Sequence, residues 1–222
     1  KYLEELMVLN FANNKLNNQY TAIETLYELT NLDLSGNNIQ DLNSLNNYLV
    51  NLEAEREDPK LTELTLSNNK LTNIEILYNL STLQRLNISN NAITDINYIS
   101  PNKSLNTLNI SGNDIEDVTV LSELTSIKTL NMSNNLIEDI QSITNLSLTT
   151  LDISGNRITD ITPIRYQTGL TDLYMNNNKI ADVSSIESLL LRGTFEAKQQ
   201  KLTKVLDSSS GTITVPLPEI FK

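Results

Sequence analysis

LNTLNISGNDIEDV, residues 105 to 118, decides the fold. Leu105, Leu108, Ile110, Ile115 and Val118 read as core positions, and Asn113 stands among them at a place that reads as equally buried. Twenty-two residues further on, IKTLNMSNNLIEDI repeats the pattern with Asn135 in the same place. An amide that recurs at fixed spacing inside an apolar pattern belongs to an architecture before it belongs to a site.

Aligned on Leu-x-x-Leu-x-Leu-x-x-Asn-x-Ile, the chain places its second leucine at Leu9, Leu32, Leu64, Leu86, Leu108, Leu130, Leu151 and Leu173, in steps mostly of 22. A degenerate ninth copy follows, with Phe195 and Ala197 at the leucine places, Gln200 at the asparagine place and Leu202 closing it. Repeats of this length specify a solenoid, in which each unit adds a short strand and a return segment and buries its apolar face only against its neighbours. The pattern predicts an array over residues 1–206, with 207–222 as a C-terminal cap or the start of an adjacent β-rich domain. One step, Leu32 to Leu64, is 32 residues long. The extra residues, around NNYLVNLEAEREDPK, predict a lengthened convex helix within 43–60, ended by Pro59.

The recurring amide has a structural reason. Parallel strands stack about 4.8 Å apart, and the chain must turn sharply after each. Inward-facing turn groups then lack ladder partners, at about 1 to 3 kcal/mol per orphan. An asparagine carries an acceptor and two donors. Asn14, Asn37, Asn69, Asn91, Asn113, Asn135, Asn156 and Asn178 are therefore expected to form a structural ladder rather than a ligand site.

Composition narrows the function. With 39% hydrophobic and 19% charged residues the chain can bury a core, and its net charge of -11 opposes nucleic acid and anionic membranes. No apolar run approaches the roughly 20 residues of a membrane span. The chain opens inside a repeat without an initiator methionine, which reads as an excised or processed form. It has no Cys and no His, and no Gly-rich phosphate loop follows a strand. The usual nucleophile and base pairs cannot be assembled, so neither enzyme activity nor a cofactor is expected. The repeated Asp41, Asp95, Asp117, Asp139, Asp160 and Asp182 could offer calcium its oxygen ligands, but each is better read as a cap on the turn that follows, with no metal. Glu53, Glu55, Glu57 and Asp58 read as a solvated helix face.

These units resemble leucine-rich repeat proteins over nearly the whole chain. The second halves, such as Ile93-Thr-Asp95-Ile96, Ile115-Glu-Asp117-Val118 and Ile158-Thr-Asp160-Ile161, are similar to the 22-residue subclass of internalins and phosphatase-regulator repeats. Asn73 and Lys204 depart from the aspartate pattern. The resemblance implies an α/β solenoid, a right-handed superhelix with a parallel concave sheet and short convex helices or 3-10 turns. It also implies a protein-recognition module of a bacterial cell-surface or secreted protein, acting in adhesion. The alternatives are a cytoplasmic scaffold or regulator, and a structural spacer on the cell surface. The closing segment, with its Ser-Gly turn and Thr-Ile-Thr-Val strand, resembles the last coil of internalin-like proteins passing into a β-rich domain.

Strand alternation puts the residues flanking and separating the paired leucines on the concave face. Most are small and polar. Hot spots favour Trp, Tyr and Arg, so Tyr174 stands out and Arg85 follows. A protein partner with a basic surface is expected to centre on Asp172, Tyr174 and Asn176, with Asp152 and Glu196 alongside. Asn87, Asn109 and Asn131 begin N-x-S sequons on the same face, where a glycan would block a ligand, so a eukaryotic secreted receptor is disfavoured.

Overall fold

In a computed structural model the chain forms one nine-stranded sheet, with the strands side by side in chain order. The structure describes residues 3, 5–18, 20–186, 189, 193–200, 204–208 and 211–215. The strands are β1 (Val8–Asn10), β2 (Asn31–Asp33), β3 (Glu63–Thr65), β4 (Arg85–Asn87), β5 (Thr107–Asn109), β6 (Thr129–Asn131), β7 (Thr150–Asp152), β8 (Asp172–Tyr174) and β9 (Phe195–Glu196). All pair in parallel, and their central residues, Leu9 through Leu173 to Phe195, stack in one register. The register never slips, so every departure from the 22-residue step is absorbed in the return segments. Within each coil the inward residues are almost wholly buried, as for Leu105, Leu108, Ile110, Ile115, Leu121 and Leu124. Each such side chain stabilises the fold by about 1.5 to 3 kcal/mol through burial, but only because the next coil covers it.

Seven return segments are single 3-10 turns, from Thr21–Ile23 to Ser184–Ile186, and one is the helix α1, Asn43–Glu55. Before each of the last six turns an aspartate or asparagine bends back. Asp95, Asp117, Asp139, Asp160 and Asp182 accept the N–H two residues on at 2.7 to 2.8 Å, and Asn73 does the same for Glu75 at 2.7 Å. Asp41 holds Asn43 at the start of α1 at 3.1 Å. The local turn needs an oxygen, not a charge, which is why asparagine serves at 73. α1 turns Leu45, Tyr48 and Leu52 into the core. It ends earlier than Pro59. Arg56 adopts a left-handed conformation (φ 62°), its N–H returns to Glu53 O and the Glu57 N–H returns to Leu52 O, which closes the helix before the proline is reached.

At the other end the repeat gives out before residue 206. Lys204–Ser208 (β10) pairs antiparallel with Gly211–Val215 (β11) in a separate two-stranded sheet. Lys204 therefore belongs to a hairpin rather than to a ninth return segment, and Leu202 lies outside the described residues.

The amides do more than close their own turns. Asn113 Nδ2 donates to Ile110 O (3.0 Å) and Ser111 O (3.3 Å) in its own coil and to Ile88 O (3.1 Å) in the preceding one, while Oδ1 accepts the Ile93 N–H at 3.1 Å. Asn37, Asn69, Asn91, Asn135, Asn156 and Asn178 repeat the arrangement, each accepting one backbone N–H from the coil before it. Gln200 substitutes in the ninth coil, accepting from Ile180 N–H at 3.3 Å and donating to Met175 O. Asn14 differs. It is exposed and, among the described residues, donates only to Phe11 O and Ala12 O of its own coil.

A second pair of buried amides was not anticipated. Asn102 and Gln167 occupy a place that is leucine in neighbouring coils (Leu80, Leu124, Leu146), and both are 0% exposed. Gln167 Oε1 accepts the Leu148 N–H at 3.0 Å and Nε2 donates to Ile143 O at 2.8 Å. Asn102 accepts the Leu83 N–H at 3.3 Å. Leu148 follows the one return segment that is a residue short, Leu130 to Leu151, so the following coil supplies the acceptor that the shortened coil lacks. After each of β1 to β8 the chain turns through a left-handed residue that is either Asn or Gly, as at Asn90 (φ 53°) and Gly112 (φ 65°), and after β9 through Gln199 (φ 57°). Gly112 is required there because Asn90 Oδ1 occupies the place of a Cβ.

Asn113→Leu should lower stability by about 2 kcal/mol or more, because the buried Ile93 N–H loses its acceptor while Ile88 O and Ile110 O each lose one of two donors. Asn109→Leu on the outer face should cost about 1 kcal/mol or less. Thermal melts of the two variants check the ordering.

Candidate functional site

The concave face is built from outward residues of nine strands, and much of its chemistry is already used by the protein. Asn87, Asn109 and Asn131 each direct Oδ1 back to the serine two residues on, accepting its N–H at 3.0 to 3.1 Å and its Oγ–H at 2.7 Å. The Asn-x-Ser triplets are thus strand-ending turns. Ser67, Ser89 and Ser133, which alternation places on the outer surface, are buried instead. In those three coils the third outward position is architecture, whereas Ser35, Ser111 and Ser154 are half-buried and Lys198 is exposed.

The predicted site residues separate into two groups. Asp152, Tyr174 and Glu196 are in-register neighbours on β7, β8 and β9, and Asp172 begins β8 beside Thr150. Asn176 follows them, donating from Nδ2 to Glu196 Oε2 at 2.9 Å and accepting the Lys198 N–H at 2.6 Å. Arg85 is elsewhere. It stands on β4, four strands from β8, roughly 19 Å at about 4.8 Å per strand. There it faces Glu63 at 3.5 Å, and Glu63 also accepts from Asn31 Nδ2 at 2.8 Å.

The carboxylates differ in what they have left to offer. Asp172 Oδ1 accepts the Thr194 N–H at 2.8 Å and Oδ2 accepts the Thr171 hydroxyl at 2.8 Å, and these bonds hold its pKa below the usual carboxylate range. Gly193 lets this happen, since a Cβ there would collide with Asp172 Oδ1. Glu196 is held low first by the Asn176 amide and then by Lys198, whose Nζ lies 3.4 Å from Oε1. Asp172, Asn176 and Glu196 therefore lace the ninth coil to the eighth. Their first role is to fasten the end of the array.

Between β5 and β8 the face sinks into a hollow of about 320 Å³, with Thr107, Thr129 and Thr150 on one side, Asn109, Asn131 and Asp152 on the other, and Tyr174 as its wall. The three threonines look uninformative in the sequence because they are small. Their smallness forms the depression, and the signal was the change from threonine to the longer Asp172 at the same place in β8. Among the described residues no three His, Cys, Asp or Glu side chains converge as a metal site, and no helix is long and apolar enough to cross a membrane.

The carboxylates fastening the ninth coil make it acid-sensitive. A depressed carboxyl pKa contributes stability above its unfolded value, 3.8 for Asp172 and 4.5 for Glu196, and that contribution disappears as pH falls through the lower folded value. Protection of the Thr194 N–H against hydrogen exchange, corrected for the intrinsic rate, should be flat from pH 7 to 5 and fall below about 4. In Asp172→Asn the fall should largely vanish.

Comparison with known proteins places this geometry. The model described as leucine rich repeats in two copies matches residues 59–101, 103–145 and 146–188, and a single leucine rich repeat matches 29–42. No curated protein matches the chain. Among solved structures it is similar to an internalin, inlF, from Listeria monocytogenes, at 30% identity and a TM-score of 0.73 over 86% of this chain and 52% of that one. It is also similar to internalin C2, inlC2, of the same organism, at 29% identity and 0.77 over 89% and 82%. The fold is shared with a leucine-rich repeat protein of Leptospira interrogans at 24% identity and 0.73, over 88% and 49%, and with the Arabidopsis receptor kinase HAESA at 23% identity and 0.73, over 89% and 35%. The chain thus spans about half the length of inlF and of the Leptospira protein. With four matched segments in one unbroken array, the chain belongs to the leucine-rich repeat family and is internalin-like.

Proposed function

We propose that this array is the non-enzymatic recognition module of a bacterial cell-surface or secreted protein, acting in adhesion by binding a protein with a basic surface. The observation that carries the reading is the hollow on the concave face, walled by Tyr174 and bordered by Asp152. It combines the one large aromatic that projects from that face among the described residues with acidic neighbours, and aromatics in partly desolvated settings carry most contact energy at interfaces. The similarity to two Listeria internalins supports the surface setting. HAESA, of the same fold, is described in complex with a peptide hormone and a co-receptor, which is consistent with a polypeptide ligand. In this reading Arg85, on β4 and paired with Glu63 of β3, lies outside the hollow.

A second reading places the partner on α1, where the repeat is interrupted and Val50 is 53% exposed. The two are separable. Immobilised protein is exposed to solubilised surface proteins of eukaryotic cells and to a bacterial cytosolic extract, and the retained protein is identified and its affinity measured. Tyr174→Ala should weaken it by about 2 kcal/mol, roughly 30-fold, whereas a variant with the second coil shortened to 22 residues should bind as before. Loss in the shortened variant alone would move the site to α1. Retention only from the cytosolic extract would favour an intracellular scaffold.

A further inference from the structure

We infer that the hollow beside Tyr174 is an arginine subsite, in which a guanidinium from the partner pairs with Asp152 and stacks on the Tyr174 ring. The inference rests on the concave face being the binding face, and it follows from asking which concave carboxylate has both an open oxygen and no cation beside it. Asp33 accepts from Ser35 N–H and Oγ–H on Oδ1 and from Asn10 Nδ2 on Oδ2. Glu63 meets the Arg85 guanidinium and the Asn31 amide through Oε2, so its charge is already countered although Oε1 is open. Asp172 has both oxygens occupied, and Glu196 is shared between Asn176 and Lys198. Asp152 differs from all four. Its Oδ1 accepts the Ser154 N–H at 2.9 Å, and no donor or cation among the described residues meets its Oδ2.

This carboxylate is also the only ionised group among the residues that line the hollow, and in the sheet register it lies directly beside Tyr174. Cross-strand neighbours have Cβ atoms about 5 Å apart, so one planar cation can touch the carboxylate and the ring together. An arginine suits this better than a lysine, because its flat fork pairs with carboxylate and its face stacks on an aromatic. Asn131, beside Asp152 on β6, has Oδ1 pinned by Ser133. Its Nδ2 consequently faces outward, as a donor for a backbone carbonyl flanking the arginine. The N-terminal hollow over β1 to β3, about 190 Å³, has carboxylates but no aromatic, and its Asp33 and Glu63 are already engaged. A second copy of the chain is a poor occupant, because two molecules of charge -11 repel.

The test uses the whole isotope-labelled chain, with N-acetyl-arginine methylamide, its lysine analogue and its neutral isostere citrulline as probes, followed by amide shifts. Arginine should move the Asp152, Tyr174 and Asn131 signals and bind about tenfold more tightly than citrulline, with lysine in between. Asp152→Asn keeps an acceptor for the Ser154 N–H and should reduce arginine to the citrulline level. Tyr174→Phe should retain binding, and Tyr174→Leu should weaken it several-fold. Equal shifts from arginine and citrulline, or no change in Asp152→Asn, would overturn the carboxylate's role, and equal binding of lysine would overturn the guanidinium assignment. If the probes fail while capture of a protein partner still depends on Tyr174, this inference alone falls and the recognition reading stands.

Discussion

Each coil of this protein leaves a backbone N–H that it cannot satisfy itself, and the side-chain oxygen of the next coil's amide takes it. Ile93 depends on Asn113, Ile115 on Asn135, Ile137 on Asn156 and Ile158 on Asn178. A leucine at any of those places would bury more apolar area, at about 25 cal/mol per Å². It would also strand that buried N–H, at about 1 to 3 kcal/mol, and take one of two donors from each of two carbonyls, as at Ile88 O and Ile110 O around Asn113, which offsets the apolar gain. That comparison explains why the amide persists inside an otherwise apolar pattern. It also makes stability a nearest-neighbour property, since no coil is complete until the following one is in place.

The same economy of polar groups determines what the concave face can offer. Its asparagines close strand-ending turns, its serines are drawn under the surface, and Asp172, Asn176 and Glu196 fasten the ninth coil. Toward its C-terminal half, what remains outward is a threonine floor with Tyr174 and Asp152 at its rim. A recognition surface on this scaffold is therefore defined by the few side chains that the architecture does not consume. The acid-sensitive end of the array and the proposed binding face share β8, so binding and integrity of the last coil are expected to be linked.

The fold was legible because its signal is periodic: the leucine register, the amide ladder and the capping aspartates each follow from spacing alone. Gln200 was legible as a degenerate ladder member because its place in the count survived a change of residue. Asn102 and Gln167 were not, because each replaces a leucine in one coil only, and the N–H it accepts, Leu83 or Leu148, lies in the preceding coil, where only three-dimensional neighbours reveal it. The end of α1 was misplaced for a related reason. A proline is a visible stop signal, whereas the left-handed Arg56 that closes the helix is an ordinary residue in an unusual conformation. At the candidate site, strand alternation alone named Tyr174, its acidic neighbours and Arg85 together, whereas the strand order separates Arg85 on β4 from Tyr174 on β8. Nor could the free oxygen of Asp152 be told from the occupied ones of Asp172.

Native-state hydrogen exchange at the Ile93, Ile115, Ile137 and Ile158 amides tests the account most directly. These four N–H groups lie outside the strands and are held by a side-chain oxygen of the following coil. The account predicts protection equal to that of the central strand amides of Leu108 and Leu130, because releasing them requires separating two coils. Exchange at the rate of exposed turns would contradict it, and would mean that packing alone, without the amide ladder, holds the array together.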